Sequence, residues 1–91
     1  MFILVNCSDD FGLDVAGRFD TKKEAFRNIA ERVDSDFGYS IDMSEYPFEN
    51  DPIGCYYSEN NLAVMWGSDF CSCTYYDKYG AYNEKWLIIE A

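Results

Sequence analysis

Histidine is absent from this sequence, and its absence narrows the chemistry that the chain can perform. Histidine is the most frequent general base for a nucleophilic serine or cysteine, because its ordinary pKa lies close to neutral pH. A glycine-rich phosphate-binding loop is also missing, and a chain of 91 residues leaves little room for a substrate cleft. We therefore expect a protein that is not an enzyme and that binds no cofactor.

Long apolar runs are missing as well. No stretch approaches the roughly 20 apolar residues that a bilayer span requires. The opening "MFILVNC" has neither a basic region nor a small-residue cleavage site, so it predicts a strand rather than a signal peptide. We expect a cytoplasmic protein, in which four reduced cysteines pack as small apolar side chains: Cys7, Cys55, Cys71 and Cys73. The lack of a CxxC pair argues against zinc.

Basic residues are missing from the middle of the chain. The 45 positions between Arg32 and Lys78 contain no lysine or arginine, and they hold nine acids: Asp34, Asp36, Asp42, Glu45, Glu49, Asp51, Glu59, Asp69 and Asp77. The other 46 residues hold eight acids and seven bases, so this base-free region supplies almost all of the net charge of -10. Such a surface repels nucleic acid and anionic membranes, and it attracts basic patches.

The first third of the chain predicts a hairpin followed by a helix. Residues 2–7 form an apolar run of strand formers, and the alternation of residues 13–19 predicts a half-buried strand with Leu13, Val15, Gly17 and Phe19 on one face. Thr21 and Glu24 have the spacing of a capping box. A single apolar stripe then predicts a helix over residues 20–33: Phe26, Ile29, Ala30 and Val33.

The second half of the chain predicts a meander of strands at residues 55–58, 61–66, 71–76 and 85–90. We expect connections at 67–69 and 77–84. The last segment has Trp86, Ile88 and Glu90 on one face and Leu87 and Ile89 on the other, which predicts a central strand. The predicted fold is α+β, a single domain over residues 1–91. A small antiparallel sheet (β-β-α, an acidic excursion, then the meander) carries one helix on a face.

The acidic excursion is "DSDFGYSIDMSEYPFENDPIG", residues 34–54. We expect one short strand near residues 39–43, and a loop of this length within a compact domain either hides an element or serves a function. Five residues fall at the ligand positions 1, 3, 7, 9 and 12 of an EF-hand loop that would begin at residue 34: Asp34, Asp36, Ser40, Asp42 and Glu45. However, Tyr39 occupies the position that requires glycine, and Pro47 lies where the exiting helix should begin. Calcium binding is therefore the third hypothesis.

Eight tyrosines are the second unusual feature. Adjacent pairs such as Tyr75 and Tyr76 place one ring on each face of a sheet, so some rings are exposed. Exposed tyrosine next to carboxylates suits protein recognition, because the ring offers rigid contact area and stacks on arginine. Base stacking is disfavoured, since a basic groove for phosphates is missing.

In size, acidity and the motif F-D-T-x-x-E-A at Phe19 to Ala25, the chain resembles small acidic proteins of phages and mobile elements. These include anti-CRISPR and anti-restriction DNA mimics. The motif covers less than a tenth of the chain. The resemblance implies an inhibitor that occupies the basic nucleic-acid-binding surface of a nuclease, such as a CRISPR effector, in the cytoplasm of a host cell.

We therefore expect, as the first hypothesis, an acidic inhibitor that contacts its partner through nine residues: Asp34, Asp36, Asp42, Glu45, Tyr46, Glu49, Asp51, Tyr56 and Glu59. It would bind neither nucleic acid nor a membrane directly. The second hypothesis is a structural or regulatory interaction domain. Its contact would be an exposed sheet or helix face, and its acidity would be incidental.

Overall fold

The computed structural model describes residues 1–48, the backbone of residues 53–57, and residues 61–91. In chain order these residues form β1 (Phe2–Ser8), β2 (Gly12–Phe19), α1 (Lys22–Phe37), a 3-10 helix (Met43–Glu45), β3 (Ile53–Tyr57), β4 (Leu62–Trp66), β5 (Phe70–Asp77) and β6 (Gly80–Glu90). The strands make one antiparallel sheet in the order β2-β1-β6-β5-β4-β3. The predicted α+β fold, with a hairpin, a helix on one face and a final meander, is confirmed.

Helix α1 begins and ends with identifiable caps. The Thr21 hydroxyl accepts a hydrogen bond from the backbone N–H of Glu24 at 3.1 Å, as the sequence predicted. At the other end Gly38 adopts a φ of 70°, which glycine tolerates without steric cost, and its N–H donates to the Asp34 carbonyl. The helix begins two residues later and ends one turn later than predicted, because Phe37 continues the apolar stripe and packs on Trp86. Neither α1 nor the 3-10 helix has the length and apolarity that a membrane crossing demands.

The core lies between α1 and one side of the sheet, which we call the helix face. The buried stripe of α1 consists of Ala25, Phe26, Ile29, Ala30 and Val33. It packs against strand residues that are also buried: Leu4, Leu62, Val64, Trp66, Cys71, Cys73, Trp86 and Ile88. Cys71 and Cys73 share this face as free thiols, as expected. A hydrogen bond with Cys73 and burial raise the pKa of the Cys71 thiol, so this thiol stays protonated and packs as a small apolar side chain.

The opposite side of the sheet, which we call the open face, carries no helix within the described chain. Strand alternation places these side chains there: Ile3, Val5, Leu13, Val15, Met65, Phe70, Leu87 and Ile89. Strand β6 is central, as predicted, and its two faces differ. Trp86 is buried, whereas Leu87 beside it is 50% exposed.

Strand β2 contains a bulge that the sequence did not predict. Leu4 pairs with Gly17 and Val5 pairs with Val15, so Ala16 is an extra residue in the ladder. Leu13 and Val15 consequently lie on the open face, while Phe19 lies on the helix face. The prediction that all of them share one face was wrong, because regular alternation does not anticipate an inserted residue.

The acidic excursion contributes to the core. We call residues 38–48 the cover segment, since their apolar side chains pack against the helix face: Tyr39, Ile41, Met43, Tyr46 and Phe48. Tyr39 and Phe48 contact Trp66 of β4, at ring-centroid distances of 5.8 and 6.4 Å. The predicted short strand near residues 39–43 was wrong, because residues 38–42 are irregular and the 3-10 helix follows them. The hidden element is therefore a packed, largely irregular cover.

Candidate functional site

Four of the nine predicted contact residues are carboxylates with a described position, and all four are exposed. Asp34 and Asp36 lie in the last turn of α1. Asp42 caps the 3-10 helix and Glu45 ends it. The structure thus arranges them as two pairs, one on the end of a helix and one on the cover segment. Neither pair belongs to a loose linker.

Packing and hydrogen bonds fix the second pair in place. Ile41 and Phe48, which lie on either side of it in the chain, are buried in the core. The Asp42 carboxylate accepts hydrogen bonds from the hydroxyl and the backbone N–H of Ser44, at 2.7 and 2.9 Å. These bonds lower the pKa of Asp42 below its ordinary value. Its charge is therefore retained even in mildly acidic solution.

Tyr46 points inward and anchors the cover segment. Its ring lies 5.6 Å from Phe26 and 5.4 Å from Phe48. Its hydroxyl donates a hydrogen bond to the Ser68 carbonyl at 3.0 Å. Burial, and next the carboxylate of Asp69, raise the pKa of the Tyr46 hydroxyl. This position leaves the ring little surface for a partner.

The other four predicted contact residues lack a described side chain. Glu49, Asp51 and Glu59 lie outside the described residues. Tyr56 lies on β3, where its backbone pairs with Val64 of β4. The predicted role of these four residues stays a prediction.

The charges at the ends of α1 oppose the helix dipole. The N-terminal end of a helix favours anions and the C-terminal end favours cations, by about 0.3–1 kcal/mol each at exposed sites. Here Lys22 and Lys23 occupy the first turn, with Glu24 the only acid there. The last turn holds Asp34 and Asp36 and no base. The carboxylates therefore add to the negative end of the dipole, which strengthens the negative potential at this end.

Glu84 is an acid that the sequence analysis placed in a connection, and the structure places it in the interior of β6. It is half-buried, and its carboxylate accepts a hydrogen bond from Asn6 at 3.1 Å. Burial raises the pKa of Glu84 most, and the nearby Asp36 raises it further, while Asn6 and Arg32 act in the opposite direction. Asp36 is thus close enough to Glu84 for the two to repel each other. The signal in the sequence was the spacing of two residues that joins Glu84 to Trp86 and Ile88, because this spacing places all three on one face of a strand.

The loop required for calcium binding is not formed. An EF-hand loop wraps its ligands around the ion from its first position onwards. Asp34 and Asp36, which would be the first and third positions, are helical instead. Among residues with described side chains, no three acids or cysteines gather as a metal site. The geometry of the first two ligands therefore contradicts the EF-hand hypothesis.

Pockets that described residues line include two shallow ones, each of about 240 Å³. One lies at the end of β1 beside Cys7 and Lys85, and the other lies beside α1 next to Phe19 and Arg27. Both are smaller than the roughly 300–1,000 Å³ that is usual for ligand pockets. Neither offers an enclosed site for a small molecule.

The charged residues of the strands are divided between the two faces of the sheet, which the sequence analysis missed. The four strand acids all lie on the helix face: Asp14, Asp77, Glu84 and Glu90. The two strand bases, Arg18 and Lys85, both lie on the open face. Strand β3 has no charged residue. Among the strands, the charged residues of the open face are therefore both basic, in a protein whose net charge is -10.

Comparison of the chain with protein-family models, with curated proteins and with solved structures finds no match.

Proposed function

We propose that the protein is a non-enzymatic inhibitor that binds the basic, nucleic-acid-contacting surface of another protein. Fixed carboxylates would take the place of phosphates on that surface, and the nucleic acid would be excluded. A nuclease such as a CRISPR effector has a surface of this kind, lined with lysine and arginine. The protein would act in the cytoplasm, that of the host cell if a phage encodes it.

The observation that supports this proposal is the anchoring of the acidic cover segment. Ile41 and Phe48 are buried, and Asp42 is held by two hydrogen bonds to Ser44. An acidic tail without such anchors would lose conformational entropy when it bound, at about 1–2 kcal/mol for each backbone residue that becomes ordered. The anchored segment has met this cost during folding, so its carboxylates are available as a preorganised array.

The helix end supplies the second part of the array. Asp34 and Asp36 lie where the dipole of α1 is already negative. Two carboxylates at the negative end of a helix dipole destabilise the fold slightly, and a basic partner would remove this repulsion by pairing with them. This unfavourable placement therefore suits a role in binding. Arginine and lysine of the partner would pair with these carboxylates and release their own bound counterions.

The test is competition with a labelled DNA duplex for candidate nucleases and other DNA-binding proteins. Wild-type protein is expected to displace the duplex, and displacement should weaken as salt rises from about 50 to about 300 mM, since screening shortens the reach of charges. A variant with Asp34→Asn, Asp36→Asn, Asp42→Asn and Glu45→Gln should lose displacement by at least about tenfold. Asparagine can still cap the 3-10 helix, so the fold is expected to persist.

The matched control neutralises four acids elsewhere: Asp10→Asn, Asp14→Asn, Asp20→Asn and Glu90→Gln. Both variants change the net charge by the same amount. Loss of displacement in the first variant alone supports the assigned residues. Equal loss in both would mean that bulk charge is responsible, and unchanged displacement by the first variant would sink the proposal.

A further inference from the structure

We infer that the open face of the sheet is the interface on which a second copy of this chain docks, so that the protein is a symmetric dimer with its acidic surfaces pointing outward. This inference is independent of the proposed inhibitor function, because none of the residues assigned to that function lies among those that define the open face. It concerns the side of the sheet that α1 and the cover segment leave uncovered.

The centre of the open face is a continuous apolar patch. Ile3 pairs with Ile89 across β1 and β6, and Val5 pairs with Leu87. On one side Val5 also pairs with Val15, and on the other Leu87 pairs with Phe70. The patch therefore crosses four neighbouring strands. Patches larger than a few hundred Å² are unusual on monomeric soluble proteins and mark interaction sites.

The side chains of this patch are exposed to a degree that a completed interface would remove. Leu13 is 74% exposed and Val15 is 57% exposed. Both reach the open face only because of the bulge at Ala16 in β2. Burial of such side chains is worth about 25 cal/mol for each Å² of apolar surface. A partner that covered the patch would gain this energy.

The charge distribution identifies a second copy as the partner. A protein with a net charge of -10 repels itself wherever two acidic surfaces meet. The described strands place no acid on the open face, and the carboxylate of Asp9, which accepts hydrogen bonds from Asn83 at the edge of this face, lies near Lys85 and away from the apolar centre. Two copies can therefore bring their apolar centres together without placing carboxylates against each other. The two bases lie at opposite ends: Arg18 pairs with Ile3, and Lys85 pairs with Cys7. They leave the apolar centre clear, and their long stems allow the charges to reach the acidic rim of the other copy.

The size of the open face matches that of a stable interface. Six strands about 4.8 Å apart, with an average length of about seven residues at about 3.3 Å each, present roughly 29 by 24 Å, or about 700 Å². Standard interfaces bury about 800 Å² on each partner. Two twisted antiparallel sheets also pack face to face without further adaptation, as in β-sandwiches.

The test is sedimentation velocity over a range of protein concentrations, which measures the mass and the dissociation constant of the dimer. The monomer has a mass of 10.6 kDa, so the dimer is expected at twice that value. Leu87→Glu places a carboxylate at the centre of the patch and counts twice in a two-fold interface, so it should weaken the dimer by at least about tenfold. The matched control is Tyr79→Glu, which alters an 86% exposed residue in the β5–β6 turn, away from the patch. It should leave the dissociation constant unchanged within about twofold.

A second measurement uses the wild-type chain and does not depend on a variant that folds. Cys7 is exposed and lies on the open face beside Leu13. Its alkylation, followed by mass spectrometry of the peptide that contains it, should slow as the protein concentration rises through the dissociation constant. Buried Cys71 and Cys73 provide the internal reference, because their thiols are protected at every concentration.

The effect of salt concentration on binding distinguishes the dimer from the proposed inhibitor function. Higher salt screens the repulsion between two acidic copies, so the dimer should tighten, whereas capture of a basic partner should weaken. A monomer at all concentrations, a Leu87→Glu variant that dimerises like wild type, or equal loss in Tyr79→Glu would each overturn the inference. None of these outcomes would alter the test of the acidic cover segment.

Discussion

The two faces of one sheet differ in what covers them and in the charge that they carry. The helix face is sealed by α1 and the cover segment, and the four strand acids lie on this side. The open face has no such cover, and both strand bases lie there. Ile3, Val5 and Phe70 are half-buried on this face, whereas its other apolar side chains are exposed: Leu13, Val15, Met65, Leu87 and Ile89. The net charge of -10 is therefore not spread evenly over the two faces. Among the charged residues of the strands, the acids lie on the helix face and the bases lie on the open face.

The cover segment within the acidic excursion has apolar residues that pack and acidic residues that face water. Its apolar residues alternate with polar ones, and the apolar residues complete the cover over β4. The residues between them, such as Asp42 and Glu45, necessarily face water. The same segment therefore closes the core and displays the carboxylates. Its packing role is established by the structure, whereas its binding role is the proposal.

The largest expected effect comes from two adjacent isoleucines of β6. Ile88 is 8% exposed on the helix face, and Ile89 is 49% exposed on the open face. We expect Ile88→Ala to lower the free energy of unfolding by about 3–4 kcal/mol, within the range for buried isoleucine, and Ile89→Ala by about 1 kcal/mol or less. Urea denaturation at low protein concentration measures both. Equal losses of unfolding free energy in the two variants would show that both faces are equally buried in solution, which contradicts the difference between them described above.

The next effect concerns the anchor of the cover segment. Phe48 packs edge-on against Phe26 at 5.2 Å, so Phe48→Ala should lower the free energy of unfolding by about 3 kcal/mol. Glu45→Ala, on the exposed side of the same segment, should change it by no more than about 0.5 kcal/mol. Hydrogen exchange of residues 39–47 should accelerate in the first variant alone.

Phe48→Ala also sharpens the proposal for the acidic array, because it changes no charge. If anchoring matters, displacement of DNA from a basic partner should weaken even though all carboxylates remain. Displacement at the wild-type level, in a variant whose cover segment exchanges freely, would show that charge without order is enough.

The smallest effect is the pH dependence that Glu84 contributes. Burial and Asp36 raise its pKa in the folded protein above the ordinary value of 4.5. The folded state therefore binds the proton more tightly than the unfolded state, and stability is lost as the pH rises through the folded pKa. Glu84→Gln removes this loss, so its melting temperature should exceed that of wild type at pH 7 and match it below pH 4.5.

The rise is expected to be about 2–4 °C, since a contribution of about 0.5 kcal/mol from this half-buried carboxylate corresponds to that range when 1 kcal/mol shifts the melting temperature by roughly 4–8 °C. Glu90→Gln, on the same strand and face but exposed, is the control and should not change the difference between the two pH values. A melting temperature for Glu84→Gln that stays below wild type at pH 7 would contradict the sign.

Much of the fold could be predicted because its signals are local. The Thr21 cap, the apolar stripe of α1 and the alternation of β4 to β6 are written into neighbouring residues. The insertion of β6 between β1 and β5 could not be predicted, since it depends on pairing across most of the chain. The bulge at Ala16 was missed for a related reason. Nothing in the alternation of β2 marks which residue the partner strand will skip.

The candidate site was predictable only in part. Exposure of Asp34, Asp36, Asp42 and Glu45 follows from their charge. The inward position of Tyr46 depends on a tertiary hydrogen bond to Ser68, which no local pattern encodes. The uncovered open face was not predicted, although the central position of β6 was. The apolar residues on both faces of β6 predicted its central place in the sheet, but they did not indicate that one helix of 16 residues covers a single face.

The placement of the two tryptophans has a practical consequence. Trp66 and Trp86 are the only tryptophans in the chain, and both are buried on the helix face. Their fluorescence emission will therefore shift to the red when the core opens, and detachment of the cover segment will change the surroundings of Trp66, which Tyr39 and Phe48 contact. Events on the open face will leave the emission unchanged. The intrinsic fluorescence of the protein therefore reports on the helix face and is insensitive to the open face.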